Sequence, residues 1–337
     1  MDINDKNILR STELTAVLGR TEFNKLAKIR GEKDWENYRE LYDDASNLKT
    51  VTNFPLQLDI ELNASCNLKC PMCPISAESP KGKGKSTWFS FDLYKEIIDT
   101  GVREGLKAIK LNYINEPLIR SDLFKFIEYA NNAGVLDIYL STNGLLMDND
   151  ISLKMIKSGL TRIQISLDAT SSEVYDILRP GGDFSKTIRN INSLISLKEE
   201  LKSITPLIRV NFVKTETNLH QVEDFISYWK NKVDMIGIQE FINPPISSEK
   251  ISGAPSRNIK KEGFKCSFPF KQLVINNEKD ILPCCTFWGE YLKIGKLKSA
   301  DSIKEVWNSK EMKNLRELHS HGKYYENPIC KKCVESS

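Results

Sequence analysis

The sequence predicts an α/β protein: a partial (β/α)6 barrel of the TIM type, or a large open sheet, with a short helical extension before it and a small α+β domain after it. Three observations predict this. From about residue 56 to residue 241, short apolar runs alternate with helix-like segments, the pattern of βαβ units around a parallel sheet. The stretch 242–262 is rich in Pro, Ser and Gly and reads as a linker. The cysteines fall at two addresses, with none between 73 and 266. The expected units are therefore 1–50, 51–245 and 246–337.

Within residues 1–50, Trp35 to Tyr42 carries charged and aromatic residues at near-helical spacing, so this extension is expected to be helical. The expected strands are Leu56–Leu62, Ala108–Ile114, Asp137–Leu140, Arg162–Leu167, Leu207–Val213 and Met235–Phe241. Between them, Phe91–Val102, Leu123–Ala133, Asp150–Ser158 and Val222–Trp229 read as helices. Six repeats fall short of the eight in a complete barrel. After the linker comes a hairpin, Gln272–Asn276 and Ile281–Pro283, and then a helix over Ser302–Leu318. Lys81 to Ser86 has the look of a phosphate loop, but that motif needs a glycine where Ser79 stands. It reads as a basic loop.

Composition narrows the chemistry. The 337 residues carry 48 basic and 45 acidic side chains, a net charge of +3, which makes no case for nucleic-acid or membrane partners. No run approaches the ~18–20 apolar residues of a membrane span, and the first residues lack the plan of a secretory signal. A cytoplasmic location is expected, where eight cysteines read as metal ligands or redox groups before they read as disulfides. With only His220, His319 and His321, centres built on several histidines are hard to assemble. If this chain uses metal, it uses thiolate.

Immediately after the first core strand stand Cys66, Cys70 and Cys73, spaced CxxxCxxC. A structural zinc site takes four ligands and usually shows two CxxC pairs. Three close thiolates can instead hold three irons of a [4Fe–4S] cube and leave the fourth open to a small chelating molecule. The strand end is also where active sites of barrel folds gather.

Further motifs follow at later strand ends. Asn115-Glu116-Pro117 follows the second strand, Ser141-Thr142-Asn143-Gly144 ends the third, and Ser166-Leu167-Asp168 ends the fourth, with Tyr175, Arg179, Gly181 and Gly182 beyond it. Singly, each has a plain reading: a helix start at Glu116, a turn at Asn143-Gly144, a cap at Asp168, a surface arginine at 179. In order, and with the cysteine motif, they resemble the radical S-adenosylmethionine (SAM) superfamily over about residues 56–241. The resemblance implies that Cys66, Cys70 and Cys73 ligate a [4Fe–4S] cluster. It places Asn115 and Glu116 at the amino group of SAM, although the two glycines the family carries before its Glu-Pro are missing here. It also puts Ser141 and Asn143 in the turn at the site and Ser166 and Arg179 near the ribose and carboxylate. Asn211, Val213 and Met72 would lie around the adenine.

The second group, Cys266, Cys284, Cys285, Cys330 and Cys333, brackets the hairpin and ends in Pro328-Ile329-Cys330-Lys331-Lys332-Cys333. Its order resembles the auxiliary-cluster domain called SPASM, and more closely the shortened twitch form. That resemblance implies one [4Fe–4S] cluster on Cys266, Cys284, Cys330 and Cys333, closed by four thiolates and suited to carrying electrons. Structural zinc on the same four ligands is the rival reading. Cys285 is the odd thiol: a small buried residue beside a ligand, a swapped ligand, or a hydrogen-atom donor.

Together the resemblances imply two [4Fe–4S] clusters, SAM, and a flavodoxin- or ferredoxin-type electron donor. Reductive cleavage of SAM would give a 5′-deoxyadenosyl radical that takes hydrogen from an unactivated C–H bond. A second cluster suits a substrate radical that must lose an electron. The leading expectation is oxidation of a small polar substrate (a sugar, cyclitol or nucleotide sugar), in the manner of a dehydrogenase. The alternative is peptide or protein maturation, and a third reading is a non-catalytic metal-binding scaffold. Arg209, Gln239 and Glu240 stand near strand ends, but alternation along a strand leaves their facing open.

Overall fold

In the computed structural model the described residues are 8–9, 17–18, 20–77, 88–242 and 262–336. The basic loop at Lys81 to Ser86 and nearly all of the linker lie outside them. Twelve strands are described: β1 (Ile8–Leu9), β2 (Val17–Leu18), β3 (Gln57–Ile60), β4 (Ala108–Lys110), β5 (Asp137–Thr142), β6 (Arg162–Ser166), β7 (Leu207–Lys214), β8 (Met235–Glu240), β9 (Lys265–Cys266), β10 (Gln272–Ile275), β11 (Asp280–Leu282) and β12 (Gly295–Lys296). Ten of them form one open sheet in the order β12-β11-β10-β3-β4-β5-β6-β7-β8-β2, and β1 pairs separately with β9.

The run from β3 to β8 is parallel, with a helix after most strands. Alternation along these strands separates two kinds of residue. Leu58, Ile109, Ile138, Ile163, Val210 and Ile236 join the main apolar core with the surrounding helices. The positions between them carry polar groups that meet across the barrel interior. Gln57 Nε2 donates to Asp59 Oδ1 and to Tyr139 Oη, 2.6 and 2.8 Å away, and Ser141 Oγ donates to Gln164 Oε1 at 3.1 Å. A complete barrel usually fills this space with branched apolar layers; here the interior is a polar well.

The starting ends of the strands are closed by the helix Glu32–Ser46. Its Trp35 and Tyr38 pack with Leu26, Ala108, Leu207 and Met235, and Tyr38 Oη donates to Asp137 Oδ2 at 3.2 Å. Asp137 also accepts two bonds from Arg162, at 2.8 and 2.7 Å. Besides its helices over 20–46, the N-terminal extension supplies the two short strands β1 and β2. No helix among the described residues is long and apolar enough to cross a membrane.

Two expectations change. The second core strand stops at Lys110 instead of Ile114 because side chains take over the roles of a ladder: Asn112 Oδ1 accepts from Ser141 N–H, and Asn115 Oδ1 from Tyr113 N–H. The single helix over Ser302–Leu318 is two, Asp301–Trp307 and Lys310–Ser320, because Ser309 starts the second by accepting from Met312 N–H. The C-terminal hairpin also extends the barrel sheet, with β10 lying parallel to β3. Glu61 pins the junction, its carboxylate accepting from Ile114 N–H and Asn277 N–H, each at 3.0 Å.

Candidate active site and cluster sites

The loop after β3 is held by its neighbours rather than by its own length. Cys73 N–H donates to Cys70 O, and Lys69 N–H reaches Pro180 O, both at 3.0 Å. That second bond ties the cysteine loop to Arg179-Pro180-Gly181-Gly182. Gly181 has φ +91°, and a Cβ on Gly182 would stand 2.7 Å from the Tyr175 ring. The first glycine supplies a left-handed turn and the second a close approach.

A cavity of about 310 Å³ opens at this end of the barrel. Cys66, Cys70 and Cys73 line one side of it. Burial pushes all three thiols up, Cys73 to about 12. Without a metal they would stay protonated at neutral pH, so a cation or cluster is what would make thiolates of them. All three line the same space, as ligands of one bound group must.

Across the cavity, Glu116 is the hub. Its carboxylate accepts from Thr142 Oγ1 at 2.7 Å, from Asn143 N–H at 2.8 Å and from Leu118 N–H at 3.1 Å. Burial raises its pKa against the pull of those bonds. Asn115 is spent on the scaffold, its Nδ2 donating to Asn63 Oδ1, while Asn143 Nδ2 donates to Asn67 Oδ1 in the cysteine loop. Asp168 sits at φ +61°, an uncommon conformation for a non-glycine. It pairs with Arg179 and accepts Val213 N–H at 2.8 Å. Burial works against the Arg179 charge, but Asp168 outweighs it and holds the proton above its ordinary range. Among the described residues Arg179 Nε is buried without a hydrogen-bond partner, a donor left over for an anionic group such as a carboxylate.

Met72, Asn115, Glu116, Ser141, Asn143, Ser166, Arg179 and Val213 therefore share one cavity with the three cysteines. Gln239 and Glu240 line it too, Glu240 paired with Lys214. Asn211 and Arg209 do not line it. They lie at successive deeper inward positions on β7, next to Gly237, where a Cβ would collide with both side chains. Burial pulls Arg209 down to about 9. The far wall comes from the C-terminal part of the chain: Cys285, Thr286 and Phe287. Tyr113 Oη donates to Thr286 O at 2.7 Å and fixes that wall to the barrel. Sequence reading missed Tyr113, Asn63 and Asn67; the one signal was the asparagine-rich stretch around the first cysteine.

Cys284 and Cys285, neighbours in the chain, face different cavities. Cys284 lines a second, largely apolar one with Cys266, Cys330 and Cys333, whereas Cys285 lines the first. This places Cys285 away from the ligand position at the second cavity. Cys330 and Cys333 are one turn apart on the helix Pro328–Glu335, which Asn327 caps by accepting from Ile329 and Cys330 N–H at 3.0 Å. Burial raises Cys266, Cys284 and Cys330 as well, so the same argument from thiolate chemistry applies. His319 also lines this second cavity, with burial pulling it down to about 4.

Comparison with known proteins accords with both sites. Residues 60–220 match the model of the radical SAM superfamily, and residues 266–334 match that of the SPASM iron-sulfur cluster-binding domain. The second match decides between iron–sulfur and zinc in favour of iron–sulfur. A probable GTP 3′,8-cyclase of Methanocaldococcus jannaschii is 30% identical over 192 residues, 57% of this chain and 60% of that protein. The mycofactocin maturase MftC of Mycolicibacterium smegmatis is 30% identical over 175 residues, 51% of this chain and 41% of that protein. The chain thus spans about 60% or less of the length of these relatives. Among solved structures, BtrN in complex with AdoMet and 2-DOIA superposes with TM-score 0.57 at 14% identity, covering 84% of this chain and 94% of that one. SuiB of Streptococcus suis bound to its precursor peptide SuiA gives 0.55 at 15% identity, covering 84% and 71%. These two likenesses establish the fold.

Proposed function

We propose for this chain, which belongs to the radical SAM superfamily and carries a SPASM iron–sulfur domain, that it modifies a peptide at an unactivated C–H bond. Cys66, Cys70 and Cys73 would hold the SAM-binding cluster, and Cys266, Cys284, Cys330 and Cys333 the auxiliary one. When bound, the first cluster and SAM supply a 5′-deoxyadenosyl radical able to remove a hydrogen atom.

The protein's part is placement. Arg179 Nε offers a hydrogen bond for the carboxylate of SAM. Glu116 keeps the strand ends around it in register and has acceptor capacity left for the amino group. Ser166 would serve the ribose, and Met72 and Val213 would supply apolar walls for the adenine.

The observation that carries the peptide reading is the substrate end of the first cavity. Tyr113, Ile114, Phe241, Ile242 and Phe287 are among the residues that line it, beside Cys285 and Thr286. Such apolar groups suit an amino-acid side chain and offer the hydroxyls of a sugar few partners. The likeness to a mycofactocin maturase points the same way. Cys285 faces this space and is placed to give a hydrogen atom to a substrate radical, while Cys284 on the same loop faces the cavity that would hold the auxiliary cluster. A small polar substrate is the second reading, favoured by the amides of Asn112 and Gln239 in the same lining.

The test is anaerobic reconstitution with a strong reductant, which should give about eight irons per chain for two cubes and 5′-deoxyadenosine. Short peptides encoded near the gene are then compared with cyclitols and sugars as substrates. Mass change in a peptide, with 5′-deoxyadenosine rising in step, supports the reading. Oxidation of a cyclitol with every peptide inert sinks it.

A further inference from the structure

We propose that His319 donates a hydrogen bond from Nε2–H to the auxiliary cluster and so raises its reduction potential. The inference rests on the reading above that Cys266, Cys284, Cys330 and Cys333 hold an iron–sulfur cluster. His319 stands in the last turn of the helix Lys310–Ser320, on its buried face, and is 2% exposed. It lines the same cavity as the four cysteines. Cys266 N–H donates to its Nδ1 at 3.3 Å. A nitrogen that accepts cannot carry a proton, so the ring is neutral and its proton is on Nε2.

That leaves a ring N–H donor in a cavity whose walls are mainly apolar, Phe264, Phe268 and Leu315 among them, with the Thr286 hydroxyl beside Cys284 Sγ. Among the described residues Nε2 is not tied to a protein group, so its N–H is available to whatever fills the cavity. Cluster sulfur is the acceptor this chemistry supplies. Reduction adds negative charge to the cluster, and a fixed donor stabilises the reduced form more than the oxidised one. The bond from Cys266 holds the ring at the angle set by the ligand itself. His319 is thus a positioning and tuning residue, not a ligand.

The test uses the full-length chain, anaerobically reconstituted, with Cys66→Ala, Cys70→Ala and Cys73→Ala so that the auxiliary cluster alone gives the EPR signal. Potentiometric titration should show a more negative midpoint for His319→Phe at unchanged iron and sulfide content. His319→Gln, whose amide can donate, should stay nearer the parent value. Equal midpoints in all three overturn the inference. Should His319→Phe lose its cluster, the chain with native His319 still decides. With 15N-labelled histidine, pulsed EPR of the reduced cluster should show a weak nitrogen coupling and a proton coupling lost in D2O. No coupling overturns it, and so does the strong coupling of a direct ligand. A chain with native His319 that binds no iron at this site fails the cluster reading itself, a result distinct from iron bound without a histidine coupling.

Discussion

At the scale of single residues, Glu116 shows how a group placed by motif acquires a second duty. Its motif proposes it as a contact for the amino group of SAM, and in the structure its carboxylate joins three backbone and side-chain donors from two loops. Glu116→Gln would turn an amide N–H toward the Asn143 N–H or the Thr142 hydroxyl, leaving a buried donor unmet at a cost of about 1–3 kcal/mol. We expect a lower melting temperature by calorimetry and weaker SAM binding, with Glu116→Asp no better because it is one methylene short. Gly182 makes the complementary case. Gly182→Ala places a methyl group against Tyr175, and overpacking of this kind costs about 1–3 kcal/mol. Urea denaturation of that variant should show the loss, and double replacement with Tyr175→Phe should recover little, since the collision is with the ring carbon as well as the hydroxyl.

Elements carry a different part of the explanation. The helix Val222–Trp229 and the core strands were legible because period 3.6 and short apolar runs are local signals. The pairing of β10 with β3 was not, since nothing in either tetrapeptide specifies a partner two hundred or so residues away. Nor was the polar well, because inward and outward positions on a buried strand look alike until the sheet is closed. The helix Glu32–Ser46 was legible as a helix but not as the plug of the barrel. Trp35→Ala in that plug should cost about 3–5 kcal/mol by chemical denaturation, while the folded fraction keeps its iron.

The plug also predicts a pH dependence. Burial pushes the Asp137 carboxyl up, but the charge and hydrogen bonds of Arg162 outweigh it and hold the group below its usual 3.8. A carboxyl with a depressed folded pKa adds stability that is fully present above the unfolded value and lost as pH falls through the folded one. Denaturation followed from pH 6 to pH 2 should therefore show a loss beginning near 3.8 and continuing below it. In Asp137→Asn that component of the slope should vanish, and overall stability at neutral pH should drop because the buried Arg162 is left with an uncompensated charge.

For the whole molecule, the notable fact is that two cysteine sets far apart in sequence face two cavities separated by one loop. Cys284 turns to one and Cys285 to the other, and Tyr113 locks the loop to the barrel through Thr286. The cysteine map made both sets legible, since eight thiols clustered at two addresses. Their mutual position depended on the sheet continuing from β3 into β10, which no motif announces. On the proposed function this arrangement would separate radical generation from electron removal, and the two could then be uncoupled. Cys330→Ala with Cys333→Ala should lower iron from about eight to about four per chain, because each cube holds four. The barrel should stay folded, since β10 remains paired with β3 and Glu61 still bridges to Asn277. Reductive formation of 5′-deoxyadenosine should persist, because every group around the first cavity is intact, while formation of product should stop. If 5′-deoxyadenosine disappears together with product in a chain that keeps four irons, the two cavities act as one centre and the division of labour argued from the loop is wrong.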